Sequence, residues 1–409
     1  MKKIYTGIDL GSYAIKIVVS EYVNGKFQVL ASTSVRSKGI KNGLITDIEE
    51  ASLSLKKAKK EIEDKLGVEI NQAIVSVPSD GIKFDIVSGS IDLNPIELVD
   101  TKQITEVLKE ATIGHVEENY ELVTILPISF QIDDGEMVKD PKGMQGNKLS
   151  VKAVVTTIPK YFLKQTMDLL KECGMEAIDI GFHSLGDYYE VHNKEIDSEV
   201  VGIVNIGYDS TEVSIFNKGI MIKDEKIDVG SKLIDLDIAK KYGVKKSVAR
   251  YLKENFAVSN TRYADANDII EISNKVGEDI TINQLEISET VETRLLEILK
   301  LAKKQISILT NREISYIIIT GGISELAGFQ YIVENVFDRR TSTLNIGTMG
   351  VRSNVYSSVL GLIKYFHYKL ELRGNSYSMF NDKQIENLIS TKRKDNDANI
   401  ISKVFSYFS

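Results

Sequence analysis

A turn rich in glycine and hydroxyl groups lies near the start of the chain, with the sequence Gly11-Ser12-Tyr13-Ala14. The flanking segments 4–10 and 15–19 alternate along their length, which predicts two paired β-strands. Glycine allows a tight backbone path, so successive N–H groups can converge on an anion, and the serine and Lys16 add a hydroxyl group and a positive charge. Asp9 points towards the same space, where its carboxylate would repel a phosphate unless a cation lay between them. These residues predict a phosphate site, with Mg²⁺ held indirectly by Asp9.

By itself such a turn is also typical of an ordinary surface hairpin. The pattern returns, however, at residues 200–216, where an apolar strand carries Asn205 and is followed by Gly207, a turn with Ser210 and Thr211, and a second alternating strand. In both copies the chain continues through a further turn into a third strand. Two such hairpins predict two similar half-domains that face each other across a cleft, with a phosphate held from both sides.

A third glycine motif, Gly321-Gly322, follows the apolar strand predicted at 315–320 and precedes a helix predicted to begin near Ser324. Glycines at the end of a buried strand let the backbone approach a ligand closely, and a helix N-terminus offers free N–H groups. A plain strand-to-helix turn would have the same sequence. Together with the two hairpins, the motif favours an adenosine site.

These three motifs resemble the two phosphate loops and the adenosine loop of the actin, sugar-kinase and heat-shock-chaperone ATPase superfamily. Within that superfamily the chain is most similar to the FtsA family of actin-like bacterial cell-division proteins, from residue 4 to the end. The most specific stretches are 125–157, 317–329 and the final residues. The resemblance implies an α/β actin-like ATPase fold with two duplicated lobes around a nucleotide cleft, an inserted subdomain of the FtsA type, and ATP with Mg as cofactors.

The resemblance also implies a division of the chain. The expected parts are a first lobe (1–80 and 158–199), an inserted subdomain (81–157), a second lobe core (200–228 and 313–371), an outer subdomain of that lobe (229–312), a flexible linker (372–398) and an amphipathic helix (399–409). A plain structural insert is the other interpretation of 81–157.

The chain departs from the family at the second hairpin, where Asn205 stands in place of aspartate and Tyr208 and Asp209 in place of glycines. In the first turn, Tyr13 and Ala14 replace small polar residues. An amide lacks the carboxylate charge that pairs with magnesium. These departures are compatible with nucleotide binding and predict weak or absent hydrolysis, with no catalytic residue identified.

Two further positions are expected near the nucleotide by resemblance. Gly230 forms a turn before a helix that approaches the nucleotide in the family, and Lys253 stands where FtsA-like proteins place a lysine near the ribose. The acidic residue that normally precedes this lysine by three is here Arg250. A lysine on a helix is otherwise usually solvated.

The end of the chain changes in composition. Residues 375–399 contain few apolar side chains, which is typical of a flexible tether. Five large apolar side chains then fall on one face of a helix: Ile400, Ile401, Val404, Phe405 and Phe408. Such a helix suits a membrane surface, the protein's own core or a partner's groove. The tether and the resemblance favour an anionic membrane surface.

Composition excludes several classes of function. A net charge of −7 gives no electrostatic footprint for nucleic acid, and one cysteine, Cys173, cannot form an internal disulfide. The four histidines show no metal-ligand spacing, and His183 and His192 are expected at a helix edge or surface. The sequence predicts neither a signal peptide nor a membrane-spanning helix, which needs an apolar run of ~18 residues.

The resemblance therefore predicts an ATP-binding protein that assembles like actin and tethers FtsZ filaments, by the FtsZ C-terminal tail, to the inner face of the cytoplasmic membrane at the division septum. Later division proteins would bind the inserted subdomain. Two alternatives share the core: a PilM-like pilus platform, which needs no amphipathic tail, and a sugar kinase, which would need a catalytic carboxylate in the cleft that no motif supplies.

Overall fold

The computed structural model describes residues 2–337 and 341–388. Two five-stranded sheets form the centres of two lobes, and a three-stranded sheet forms a subdomain inserted into the first lobe. This mixed α/β architecture with two duplicated lobes is the predicted one.

The first lobe begins with paired strands and one long helix. Its elements, in chain order, are β1 (Lys3–Leu10), β2 (Ala14–Val23), β3 (Lys26–Arg36), β4 (Ile40–Lys41), β5 (Leu44–Ile45), α1 (Ile48–Leu66) and β6 (Gln72–Ser76). Asp47 caps α1 by accepting a hydrogen bond from the Glu50 N–H at 3.1 Å, and Gly67 ends it with a left-handed φ of 69°. The sequence predicts a helix over 47–66, with Thr46 or Asp47 as its cap and Gly67 as its end, and the structure agrees.

The inserted subdomain consists of β7 (Lys83–Asp92), α2 (Thr101–Glu110), β8 (Tyr120–Ile132) and β9 (Lys148–Pro159), with the strand order β7-β9-β8. The sequence predicts two short strands at 121–125 and 130–132, whereas the structure has one. Two register shifts, one on each side of Leu126, let β8 continue past Pro127, and a proline is tolerated because β8 is an edge strand.

The first lobe then resumes with α3 (Lys160–Glu172), β10 (Glu176–Gly181) and α4 (His183–Val191). The second lobe follows, with β11 (Val200–Ile206), β12 (Thr211–Asn217), β13 (Ile220–Ile227), α5 (Lys232–Lys241), α6 (Lys246–Asn255), β14 (Ile269–Ser273), β15 (Asp279–Asn283), α7 (Gln284–Leu309), β16 (Tyr316–Thr320), α8 (Phe329–Phe337), β17 (Thr341–Thr343) and α9 (Ser357–Leu372).

The two central sheets repeat one topology. The first has the order β10-β6-β1-β2-β3 and the second β13-β12-β11-β16-β17, read in opposite directions. In each, three antiparallel strands are followed by two strands parallel to the first. The register is also repeated, because Asp9 lies opposite Lys16 in one hairpin and Asn205 lies opposite Glu212 in the other. Asp9 and Asn205 are therefore equivalent positions of the two lobes.

Two segments of the second lobe differ from expectation. The acidic region 261–287 is expected to be irregular with two short alternations, at 270–272 and 280–282, and in the structure these alternations pair as the β14–β15 hairpin. Helix α7, expected to begin at Ser288, begins at Gln284 because Asn283 caps it through the Glu286 N–H at 2.8 Å. The helix expected near Ser324 is a 3₁₀ turn at Gly322–Glu325, and α8 begins only at Phe329.

The lobes are joined where α4 crosses α9. A Cβ atom on Gly361 would lie 1.6 Å from the Gly186 carbonyl oxygen, and one on Gly186 would lie 2.0 Å from the Ser358 carbonyl oxygen. The two helix backbones are thus in direct contact, and only glycine fits at either position.

The segment after α9 is a correction to the flexible linker predicted at 372–398. Its described part, up to residue 388, packs on the first lobe: the Met379 N–H donates to the Ile4 carbonyl at 2.9 Å, and Phe380, Ile385 and Leu388 are buried in that lobe's core. Three apolar side chains spaced along a polar segment suffice for docking, although the composition suggests a tether. Residues 389–398 and the predicted helix 399–409 lie outside the described residues.

No helix in the described ranges is long and apolar enough to cross a membrane.

We expect Gly361→Ala to lower the free energy of unfolding by at least about 2 kcal/mol, because its methyl group would overlap the α4 backbone. Gly347→Ala is the matched control, since a Cβ atom there meets nothing within 4 Å. Urea denaturation of both variants measures the difference. Equal stability of the two variants would contradict the close helix crossing.

Candidate functional site

A cavity of about 400 Å³ lies between the lobes. Its walls come from the β1–β2 turn, the β11–β12 turn, the segment after β16 and helix α6. Most of the residues predicted from the sequence line it: Asp9, Gly11, Ser12, Tyr13, Lys16, Asn205, Gly207, Ser210, Lys253, Gly321 and Gly322.

Two predicted residues, Thr211 and Gly230, lie one layer behind the second turn. The Thr211 hydroxyl is buried and donates to the Val229 carbonyl at 2.7 Å, while a Cβ atom on Gly230 would lie 2.5 Å from the Tyr208 carbonyl oxygen. Side chains alternate along a strand, so Glu212 faces the cavity where Thr211 was expected to. Thr211 and Gly230 support the turn and do not line the cavity.

Asp9 is held by two protein side chains. Its Oδ2 lies 2.6 Å from Lys16 Nζ and its Oδ1 lies 2.7 Å from His183 Nε2, and the Ser76 hydroxyl approaches Oδ1 at 3.4 Å. Burial acts to raise the pKa of Asp9, but the two neighbours outweigh it and hold the pKa well below its ordinary value. Asp9 is therefore an ionised, fully paired carboxylate.

His183 is a residue of the site that the sequence prediction missed. It was expected at a helix edge or surface, yet as the first residue of α4 it reaches into the cavity between Asp9 and Glu212, with its Nδ1 3.8 Å from Glu212 Oε1. Burial acts to lower the pKa of His183, but the two carboxylates raise it well above its ordinary value. No local motif marks this position, because the crossing of α4 and α9 aims the helix start at the cavity.

Contacts across the cavity mouth join the two lobes. The Asn42 N–H of the first lobe donates to Asp209 Oδ2 at 3.2 Å, and Lys232 binds the other oxygen of Asp209 at 2.8 Å. Nearby, the Ser12 hydroxyl accepts from the Gly43 N–H at 2.8 Å. The negative charge that Asp209 brings to the second turn is thus neutralised within the protein.

The two unusual tyrosines meet at this mouth. Tyr13 and Tyr208 have ring centroids 5.2 Å apart, and the Arg250 guanidinium lies 4.3 Å from the first ring and 4.8 Å from the second. Arg36 lies over Tyr13 at 4.1 Å. Each cation–π contact of this kind contributes about 0.5–2 kcal/mol, so the four side chains hold the two turns together.

Lys253 lines the cavity but is not a free cation. It is buried, with its Nζ 2.7 Å from Asp235 Oδ1, and Arg250 binds Oδ2 of the same carboxylate at 2.8 Å. Lys253 is therefore paired with an acidic residue of α5, and Arg250, which stands where the family has an acidic residue, binds the same carboxylate. Burial of both charges is tolerated because they are paired.

Gly321 brings the backbone close to the second turn. It has a φ of 98°, and a Cβ atom there would lie 2.3 Å from the Ile206 carbonyl oxygen. Glycine is required on both counts. The 3₁₀ turn that follows, and not a helix N-terminus, faces the cavity.

The predicted magnesium position does not fit a metal. Both oxygens of Asp9 are engaged by Lys16 and His183, and the equivalent residue of the other lobe is an amide. Within residues 2–337 and 341–388, no cluster of three or more histidine, cysteine or acidic side chains could hold a metal ion. Glu212 has a buried Oε2 without a hydrogen-bond partner, which makes it the cavity carboxylate with spare capacity.

Comparisons with known proteins agree with this architecture. The family profile described as "SHS2 domain inserted in FTSA" matches residues 80–157, and that described as "Cell division protein FtsA" matches residues 202–361. Curated relatives include the FtsA protein of Streptococcus pneumoniae serotype 2, 24% identical over 368 residues (88% of this chain and 79% of that protein). The Bacillus subtilis (strain 168) FtsA protein is 24% identical over 379 residues (91% and 85%).

Solved structures share the fold. A chain of the PilM-PilN type IV pilus biogenesis complex superposes with a TM-score of 0.58 at 14% identity, covering 88% of this chain and 97% of that one. MreB5 of Spiroplasma citri bound to ADP has a TM-score of 0.54 at 14% identity, covering 90% and 97%. At such identities the likeness shows the fold alone.

The duplicated lobes, the paired hairpins and these likenesses define a protein of the actin-like ATPase fold. Within this class of fold, the inserted subdomain and the two matching profiles identify the family. The chain belongs to the FtsA family of cell division proteins.

We expect Asp235→Ala to lower the free energy of unfolding by about 3–5 kcal/mol, because it leaves the buried Lys253 without its counter-ion. Asp237→Ala, which removes a partly exposed ion pair with Arg294, should cost less than about 1 kcal/mol. Urea denaturation compares them. A small effect of Asp235→Ala would mean that Lys253 is not held by this pair.

Proposed function

We propose that this protein binds ATP between its lobes, assembles in actin-like fashion and tethers FtsZ filaments to the inner face of the cytoplasmic membrane at the division septum. The observation that carries the nucleotide part is the convergence of three glycine motifs, Gly11, Gly207 and Gly321-Gly322, on one cavity between duplicated lobes. Membership of the FtsA family supports the role in cell division.

Nucleotide binding is further supported by the structural neighbours, since the Spiroplasma citri MreB5 structures are described as bound to ADP and to AMPPNP. In this chain the first two motifs would hold phosphates from opposite lobes, and Gly321-Gly322 would face the adenosine. Ser12 and Ser210 add hydroxyl groups at the phosphate end. We expect hydrolysis to be slow, because Asn205 and the paired Asp209 offer no free carboxylate at the second turn.

The partners follow from the family. We propose that the FtsZ C-terminal tail binds the outer subdomain (229–312), that the inserted subdomain (81–157) contacts later division proteins, and that copies of the chain form a polymer. No spacing of residues in the sequence marks these surfaces.

Membrane attachment is proposed for residues 399–409, whose apolar face comprises Ile400, Ile401, Val404, Phe405 and Phe408. Each such side chain contributes about 1.5–3 kcal/mol when fully buried, but shallow insertion yields only part of this and helix ordering consumes more. One tail is therefore a weak anchor. Many tails on one polymer bind strongly through effective concentration, so assembly would make attachment durable.

A PilM-like platform role is less well supported. Its structural likeness shows only the shared fold, whereas the profile of the FtsA inserted subdomain matches residues 80–157 over nearly the whole insert.

Gly322→Leu tests the nucleotide site. A Cβ atom there lies 3.2 Å from Val355 Cγ1 at the cavity wall, so a leucine should obstruct the cavity and weaken ATP binding at least tenfold, about 1.4 kcal/mol. Gly347→Leu, in open space, is the control. Calorimetric titration with ATP measures both. Unchanged affinity in folded Gly322→Leu would place the nucleotide elsewhere.

The lipid interaction is tested by sedimentation with anionic liposomes. Full-length protein should pellet, more strongly with ATP, and both a chain ending at Asp397 and Phe405→Glu with Phe408→Glu should remain soluble, because charges on the apolar face oppose insertion. Ser402→Glu with Ser406→Glu adds the same charge to the other faces and should retain more binding. Equal pelleting of all variants would contradict the proposed membrane attachment.

A further inference from the structure

Asn205 donates a hydrogen bond to a carboxylate that lies behind the cavity wall. Its Nδ2 is 2.6 Å from Oδ2 of Asp187, a fully buried residue of helix α4. The other oxygen of Asp187 accepts from the hydroxyl groups of Ser357 and Ser358, at 2.6 and 2.8 Å. Asp187 thus has its hydrogen bonds complete, and one of them depends on the amide of Asn205.

This contact gives a physical reason for an amide, and not a carboxylate, at position 205. Asn205 occupies the position equivalent to Asp9, and an aspartate there would bring two carboxylates to about 2.6 Å, where they cannot both be ionised. Burial already raises the pKa of Asp187 to about 6 against the opposing effect of its hydrogen bonds. The carboxylate that faces Asn205 therefore lies on helix α4, behind the cavity wall, instead of on the wall itself.

In the first lobe, the carboxylate of Asp9 stays in the cavity and is paired there with two cationic side chains. Lys16, which lies on β2 directly opposite Asp9 of β1, binds one oxygen of Asp9, and the His183 Nε2–H binds the other. A divalent cation usually separates a carboxylate from a bound phosphate, holding several waters as it does so. In this cavity Lys16 is already placed to do the same, and no equivalent carboxylate remains on the second turn.

We propose that the cavity binds its nucleotide without a divalent cation, and that Lys16 lies in its place between Asp9 and the phosphates. In the Asp187–Asn205 pair, the carboxylate that would hold a metal at position 205 has changed places with an amide. This inference rests on the proposed nucleotide binding and specifies its cofactor. Phosphate charge is met by Lys16, by the turn N–H groups and by the hydroxyl groups of Ser12 and Ser210.

Calorimetric titration with ATP, in magnesium and in excess EDTA, tests the proposal on the full chain. The two affinities should agree within about threefold, since removal of the metal removes no needed contact. Binding that weakens more than about tenfold in EDTA overturns it, and loss of that dependence in Glu212→Gln would assign the metal to Glu212. If ATP binds in neither buffer, the proposed nucleotide function itself fails.

A charge exchange provides a second test. Asn205→Asp alone should lower the thermal unfolding midpoint by several degrees, because it sets a second carboxylate against the buried carboxylate of Asp187. Asp187→Asn with Asn205→Asp should recover that midpoint, because the amide and the carboxylate have only changed places. The double variant should also gain at least about tenfold in ATP affinity on adding magnesium.

A double variant that does not recover the midpoint would show that the amide and the carboxylate of positions 205 and 187 cannot change places. One that recovers the midpoint but gains no magnesium dependence would show that a carboxylate at position 205 does not recruit a metal. Either result overturns the assignment of Asp187 and Asn205.

Discussion

The contact between the backbones of α4 and α9 at Gly186 and Gly361 determines much of the rest of the structure. Helix α4 follows the strands of the first lobe and packs on the sheet of the second, whereas α9 follows the strands of the second lobe and packs on the sheet of the first. Because the helices touch, the start of α4 is aimed into the cavity, where His183 meets Asp9, and one turn later Asp187 meets the serines at the start of α9. The same crossing that joins the lobes therefore also positions the groups beside and behind the two glycine turns of the cavity.

The carboxylates around the cavity are neutralised by cationic side chains of the protein itself. Asp9, Asp209 and Asp235 each have a cationic partner, and Lys253 is buried only because it is paired. A ligand entering the cavity would have to compete with these contacts or add to them. The stacked Tyr13, Arg250 and Tyr208 join the two turns without any ligand, so closure of the lobes has an internal contribution from the chain.

Local patterns in the sequence were sufficient for the hairpins, the repeat, α1 and the three glycine motifs, because each depends on residues close together in the chain. His183, Asp187 and the Asp235–Lys253 pair could not be predicted in this way, since their partners come from elements up to about 170 residues apart and are set by the helix crossing and by α5. Thr211 was misplaced by one residue of strand alternation. The prediction that α8 begins near Ser324 was wrong, because glycine motifs precede 3₁₀ turns as readily as helices.

The docked segment after α9 limits the geometry of any membrane-bound state. Its side-chain amide at Gln384 donates to the Glu69 carbonyl, and the segment remains on the first lobe to Leu388, so only the ten residues 389–398 separate the lobe from the proposed anchor at 399–409. A chain of that length spans at most roughly 40 Å even when fully extended. So short a tether would orient the molecule, because the side of the first lobe that bears Glu69 would have to face the bilayer. Every subunit of a polymer would then be held at nearly the same height above the membrane.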